Sequence, residues 1–80
     1  DVTVTRGQVA TFLYRAASAA KPNTFSPFTD VKTTAYNYNA ILWAYDNRIT
    51  TGTSDTTFSP DAYCTRAQIV TFLYRYYQGR

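Results

Sequence analysis

The sequence predicts an all-α fold, a small bundle of three main helices joined by long ordered loops. Three observations carry that expectation. Val9, Phe12, Leu13, Ala16 and Ala20 recur at helical spacing, and Ile69, Phe72, Leu73 and Tyr76 do so again near the C-terminus. The two stretches are one motif written twice: residues 1–15 read DVTVTRGQVATFLYR and residues 61–75 read DAYCTRAQIVTFLYR, identical at nine of fifteen positions at an offset of 60. Each copy also opens with T-x-x-Q, Thr5 with Gln8 and Thr65 with Gln68. In such a capping box the Thr hydroxyl accepts from the N3 amide and the Gln reaches back to the cap amide.

Self-similarity at a fixed period marks a unit that stacks on neighbours. The expected organisation is the C-terminal helix of a preceding repeat over residues 1–20, followed by one complete repeat over residues 21–80. The chain then reads as a fragment that starts inside a repeat, so the lack of a leader says nothing about export.

Taken in order, the first helix follows the Thr5 cap. Residues 21–32 (KPNTFSPFTDVK), with Pro22 and Pro27, form a connector. Tyr36, Ala40, Trp43 and Ala44 mark a middle helix from about Thr34 to Asn47. A second loop, residues 50–63, carries Gly52, Asp55 and Pro60. Phe25, Phe28 and Phe58 lie in these loops and are expected to plug back into the core. The residues before the two caps are Val4 and Cys64, and the N4 residues are Val9 and Ile69, so each pair suits a hydrophobic staple. Cys64 stands where the first copy has Val, which makes it a small buried hydrophobe rather than a reactive thiol. The alternative, a thiol activated at a helix N-terminus, is weakened because Cys64 lies outside the helix.

Composition narrows the function. Eighty residues with 45% hydrophobic and 18% aromatic content suffice for one small core. The net charge of +3 comes from dispersed basic residues, not the dense stripe of a nucleic-acid binder. No run of eighteen apolar residues is present to span a membrane. The single Cys64 excludes an internal disulfide, and without His a structural metal site has almost no ligands. With neither His nor Glu, five Asp are the only conventional acid–base groups, and no spacing pairs them for catalysis. Three Gly form no phosphate-cradling loop. The reading is of a chain that is no enzyme and takes no cofactor.

One feature of both copies is chemically out of place. Arg6 and Arg66 each follow the cap at N1, where a cation opposes the helix dipole by about 0.3–1 kcal/mol. Two readings account for it. A guanidinium beside free helix amides is a ready anion site, able to grip a planar carboxylate through two parallel hydrogen bonds. Alternatively, the arginines pair internally with Asp30, Asp55 or Asp61.

The stretches FTDV (28–31), AILWAYDNRIT (40–50), TGTSDTTFSP (51–60) and CTRAQIVTFLYR (64–75) together resemble the S-layer homology domain. That family runs through an F-x-D-V opening, an aromatic-rich helix with an N-G-I-like turn, a G-x-x-D-G-T-F-x-P loop and a T-R-A-E/Q helix. The C-T-R-A-Q form resembles those of clostridial surface proteins. The resemblance implies tandem repeats packed as a pseudo-threefold helical bundle. It implies an extracellular module at the bacterial cell surface that anchors proteins to secondary cell-wall polysaccharide, pyruvylated polymers among its ligands. By the same resemblance Arg66 and Arg6 face the anionic sugar in grooves between repeats. Thr65, Thr5 and Gly52 shape the groove, and Trp43 offers a ring face, although at helical spacing it reads first as core. The Arg6 groove is expected to face a missing repeat.

The chain departs from the family pattern at four kinds of position. Gln8 and Gln68 stand in place of Glu, Gly7 in place of Ala, Arg48 in place of a turn Gly, and Thr56 in place of the Gly of D-G-T-F. A competing reading is a structural module that self-associates or docks a protein partner through unpaired repeat faces, for which the many Tyr residues are also suited.

Overall fold

The computed structural model describes residues 3–22 and 25–78. It contains three helices, α1 (Arg6–Ala16), α2 (Tyr38–Asp46) and α3 (Arg66–Gln78). An isolated antiparallel bridge joins Thr5 to Tyr63, so the segments leading into α1 and α3 run side by side. The Cys64 amide donates to Val4 O at 2.8 Å across the same junction.

Both capping boxes form. The Gln8 and Gln68 amides donate to Thr5 Oγ1 and Thr65 Oγ1, each at 3.1 Å. The Gln side chains return the contact, accepting from the Thr5 amide at 2.8 Å and the Thr65 amide at 2.9 Å.

Two helices are shorter than the periodicity suggests. α1 ends at Ala16 instead of running toward Ala20, because Ser18 turns left-handed at φ 50°. The Ser18 and Ala19 amides then close on Arg15 O and Tyr14 O, a Schellman arrangement that satisfies the last carbonyls. α2 starts at Tyr38, four residues after the expected Thr34. The Ala35 and Tyr38 amides reach back only three residues, to Lys32 O and Ala35 O, which winds this stretch into turns. α2 ends as α1 does. Arg48 takes the left-handed position at φ 59°, and the Ile49 amide donates to Ala44 O at 2.8 Å. A non-Gly residue is strained there, but the turn buries Ile49 at 2% exposure directly after it. Thr56 has no positive φ, so the missing Gly carries no such strain.

The core gathers Val9, Ala10 and Leu13 of α1 against Ala40, Ile41 and Ala44 of α2. Phe28, Val31, Ile49, Phe58 and Cys64 fill in from the loops, and Phe72 comes from α3. Phe28 and Phe58 plug in as expected, with ring centroids 5.5 Å apart. Phe25 does not; it is 97% exposed. Cys64 is buried and Ile69 packs against the same cluster, whereas its counterpart Val4 lies at the surface.

Two backbone devices hold the second loop over this core. The Asp30 carboxylate accepts from the Phe58 amide at 2.9 Å and the Ser59 amide at 2.8 Å, tying the F-T-D-V opening to the F-S-P turn. Gly52 sits at φ 86°, and a Cβ there would lie 2.6 Å from both the Phe28 ring and Thr57 O. Only glycine combines that dihedral with that approach.

The two copies of the repeated motif occupy opposite environments. Leu13 is 2% exposed and Phe12 67%, while Phe72 is 4% exposed and Leu73 36%. α1 therefore packs with one side and α3 with another, and the shared apolar periodicity is read differently each time. Gly7 follows from the same asymmetry. A Cβ on it would meet the Asn37 amide and come within 3.1 Å of Pro60 O, whereas the matching Ala67 is exposed.

Candidate functional site

Arg6 is the centre of the site. Its helix end is not open: the Arg6 amide donates to Ala62 O and the Gly7 amide to Pro60 O, both at 2.9 Å. With Gln8 held by Thr5, the first-turn amides of α1 are consumed within the fold. Arg6 as a residue is 93% buried, and its guanidinium lies between the ring of Phe58 at 4.7 Å and that of Phe72 at 5.4 Å. Its Nε donates to Phe58 O at 2.8 Å, and Nη2 makes a longer contact to Thr50 Oγ1 at 3.5 Å.

Neither sequence reading of this arginine describes it fully. Among the described residues no acid pairs with it directly; the partners are a carbonyl, a hydroxyl and two aromatic faces. Asp30 acts at one remove, by gripping the amide of the residue whose carbonyl Arg6 uses. Burial works against the charge and pushes the Arg6 pKa down, partly offset by Cys64 and Asp30. Burial likewise pushes the Cys64 thiol up, with Arg6 opposing it. Among the described residues no buried side-chain nitrogen or oxygen lacks a partner. A guanidinium carries five N–H donors, so those that Phe58 and Thr50 leave unused reach solvent.

They open on a groove of about 200 Å³. One wall is Arg6 with residues 49–52; the other is the face of α3 formed by Ala67, Gln68, Thr71, Phe72 and Arg75. Arg6 and Arg75 supply positive charge, Thr50, Thr51, Thr71 and Gln68 supply hydrogen-bonding groups, and Ile49 and Phe72 supply apolar surface. Among the described residues no acidic side chain lines it. The lining offers positive charge and hydrogen-bonding groups beside partly apolar surface. The wall opposite Arg6 comes from α3 of the same chain.

The candidate residues are divided by this geometry. Arg6 and Gly52 line the groove, and Thr5 caps the helix that presents Arg6. Arg66 and Thr65 are exposed at the start of α3, outside it. No carbonyl comparable to Pro60 and Ala62 reaches the Arg66 and Ala67 amides among the described residues. Trp43 lies between Tyr14 and Tyr76, at centroid distances of 5.7 and 6.1 Å, packed on the core and away from the groove.

Sequence reasoning passed over Thr50, Gln68, Thr71 and Arg75. The last three, with Phe72, fall at i, i+3, i+4 and i+7 and so share one helical stripe. That spacing was readable, but only the groove shows that the stripe faces Arg6.

Comparison with known proteins places this architecture. The family model of the S-layer homology domain matches residues 27–70, more than half of the chain. An endoglucanase of Bacillus sp. (strain KSM-635) is 46% identical over 56 residues, which cover 70% of this chain and 6% of that protein. The chain thus spans a small part of the relative's length. No solved structure matches it. The family match, carried by the F-T-D-V opening, the Gly52 loop and the capped T-R-A-Q helix, makes the chain a member of the S-layer homology domain family, whose members are non-catalytic modules that anchor proteins to the bacterial cell wall.

Proposed function

We propose that the groove at Arg6 is where this module binds an anionic secondary cell-wall polysaccharide, pyruvylated polymers included. The observation that carries the reading is a buried guanidinium with unused N–H donors, opening on a groove that no acid lines. An anion there gains charge-assisted hydrogen bonds in a partly desolvated setting. At about 200 Å³ the groove is smaller than the roughly 300–1,000 Å³ of drug-sized pockets, which suits a single sugar ring at a chain end. Residues 1–20 serve as the closing helix of one repeat and residues 21–80 as the next, so the groove lies at their seam. Arg66 and Thr65 hold the matching position of a second groove, whose far wall another repeat supplies.

The test is calorimetric titration with purified wall polysaccharide before and after chemical reduction of its carboxyl groups. The expected result is binding of the native polymer and loss of that binding on reduction. Equal affinity for both polymers contradicts the reading.

A second reading, self-association, is favoured by the outer face of α3. Val70 is 63% exposed, Tyr74 61% and Tyr77 66%, beside Leu73 at 36%. Sedimentation equilibrium should show concentration-dependent dimerisation that Val70→Asp abolishes; a pure monomer at millimolar concentration contradicts it.

A further inference from the structure

We propose that the face of α3 formed by Gln68, Thr71, Phe72 and Arg75 is the wall that reads the ligand, with Arg75 as the second cation for the acidic group held at Arg6. This deepens the function proposed above and rests on it.

The geometry of the groove is the first support. Arg6 is immobilised, stacked between two rings and bonded to Phe58 O, so it offers one fixed charge at the base. Arg75 comes from the other wall and is exposed, with no ion-pair or hydrogen-bond partner for its side chain among the described residues. Two guanidiniums that face one small cavity without an intervening carboxylate leave a net positive gap. A carboxylate-bearing sugar ring fills it with both charges satisfied, its C–H side on Ile49 and Phe72 and its hydroxyls toward Thr71 and Gln68.

The repeat supplies a comparison within the same chain. The first copy of the motif carries the same face as Gln8, Thr11, Phe12 and Arg15, and those four residues also line a surface cavity. Gly7, Val9 and Ala10 change to Ala67, Ile69 and Val70 in the second copy, while Leu13 and Tyr14 recur as Leu73 and Tyr74. Capping accounts for Gln8 and Gln68, and the helix dipole suits Arg15 and Arg75, but Phe12 is exposed where Phe72 is buried, so core packing does not account for the shared Phe. On α1 this face has no N1 arginine or residue 49–52 turn opposite it. It is half of a groove, with the charge of Arg15 but without the partner that Arg6 provides to Arg75.

That difference supplies a matched control. Arg75→Gln and Arg15→Gln remove the same charge from the same helical position, once inside a complete groove and once outside. Both variants and Arg75→Lys are titrated with native wall polysaccharide at low and high salt and with the carboxyl-reduced polymer, and thermal melts confirm folding. Arg75→Gln should lower affinity for the native polymer roughly two- to fivefold, the range of a solvent-exposed ion pair. Its binding should also depend less on salt than the parent's. Arg75→Lys should recover part of the loss, and Arg15→Gln should bind like the parent. Parent-like affinity of Arg75→Gln overturns the proposal while leaving the Arg6 groove in place. Equal weakening by Arg15→Gln also overturns it, since it reduces the effect to net charge. Failure of the parent to bind the native polymer overturns the function and this inference together.

Discussion

Replacing Arg6 and Arg66 separately by alanine makes the same change at the same place in two copies of one motif, and the structure demands opposite results. At Arg6, truncation leaves the buried Phe58 carbonyl without its 2.8 Å donor, which costs about 1–3 kcal/mol. It also removes two cation–π contacts, at 4.7 and 5.4 Å, of about 0.5–1 kcal/mol each. Against this, the helix loses an unfavourable N-terminal charge of about 0.3–1 kcal/mol. The net expectation is a loss of about 2–4 kcal/mol. At roughly 4–8 °C per kcal/mol for a domain of this size, the melting temperature should fall by about 10 °C or more. Arg66 is exposed and bonded to nothing comparable, so Arg66→Ala should stay within about 0.5 kcal/mol of the parent. Urea denaturation followed by circular dichroism and by Trp43 fluorescence measures both. Equal effects of the two substitutions, or an unperturbed Arg6→Ala, would refute the assignment of Arg6 as a joint between α1, the second loop and α3.

Gly52→Ala should destabilise by about 2–4 kcal/mol, from left-handed strain together with overpacking against Phe28 and Thr57 O, and a melt within 3 °C of the parent would count against it. Cys64→Val exchanges one buried small hydrophobe for another of similar size and should cost less than about 1.5 kcal/mol at pH 7. At alkaline pH the two chains should part. Burial raises the Cys64 pKa in the folded state, so its contribution is fully present below the ordinary thiol pKa near 8.5 and is lost as pH rises through the higher folded value. Urea midpoints at pH 7 and pH 10 should therefore fall further for the parent than for Cys64→Val; parallel falls would contradict the assignment.

Much of this structure was legible because local signals and tertiary needs agree. T-x-x-Q specified both helix starts through contacts within four residues, so no distant partner could alter them. Helix ends were harder. α1 stops at a left-handed Ser18 and α2 at a left-handed Arg48, conformations that neither residue type announces. The repeat itself misled on burial. Identical F-L pairs suggest identical faces, yet Phe12 is exposed where Phe72 is buried, because the packing surface of each helix is set by what lies beside it. Arg6 shows the same limit at the site. Its helix position revealed an anomalous charge, but the Phe58 carbonyl and the Phe72 ring lie 52 and 66 residues away. Only the fold decides that Arg6, and not Arg66, is enclosed. Arg75 escaped notice because an arginine in the last turn of a helix already has a sufficient explanation in the helix dipole.

The most direct test of the central claim is to map binding on the intact chain. Native wall polysaccharide is titrated into uniformly ¹⁵N-labelled protein while backbone amides and arginine Nε–H signals are followed. Binding at the groove predicts that the Arg6 Nε–H, the amides of residues 49–52 and those of residues 67–75 facing Arg6 shift together and saturate with one affinity. The carboxyl-reduced polymer should move none of them. Shifts confined to Arg66, Val70 and Tyr74 on the outer side of α3, or a spectrum unchanged by the native polymer, would contradict it.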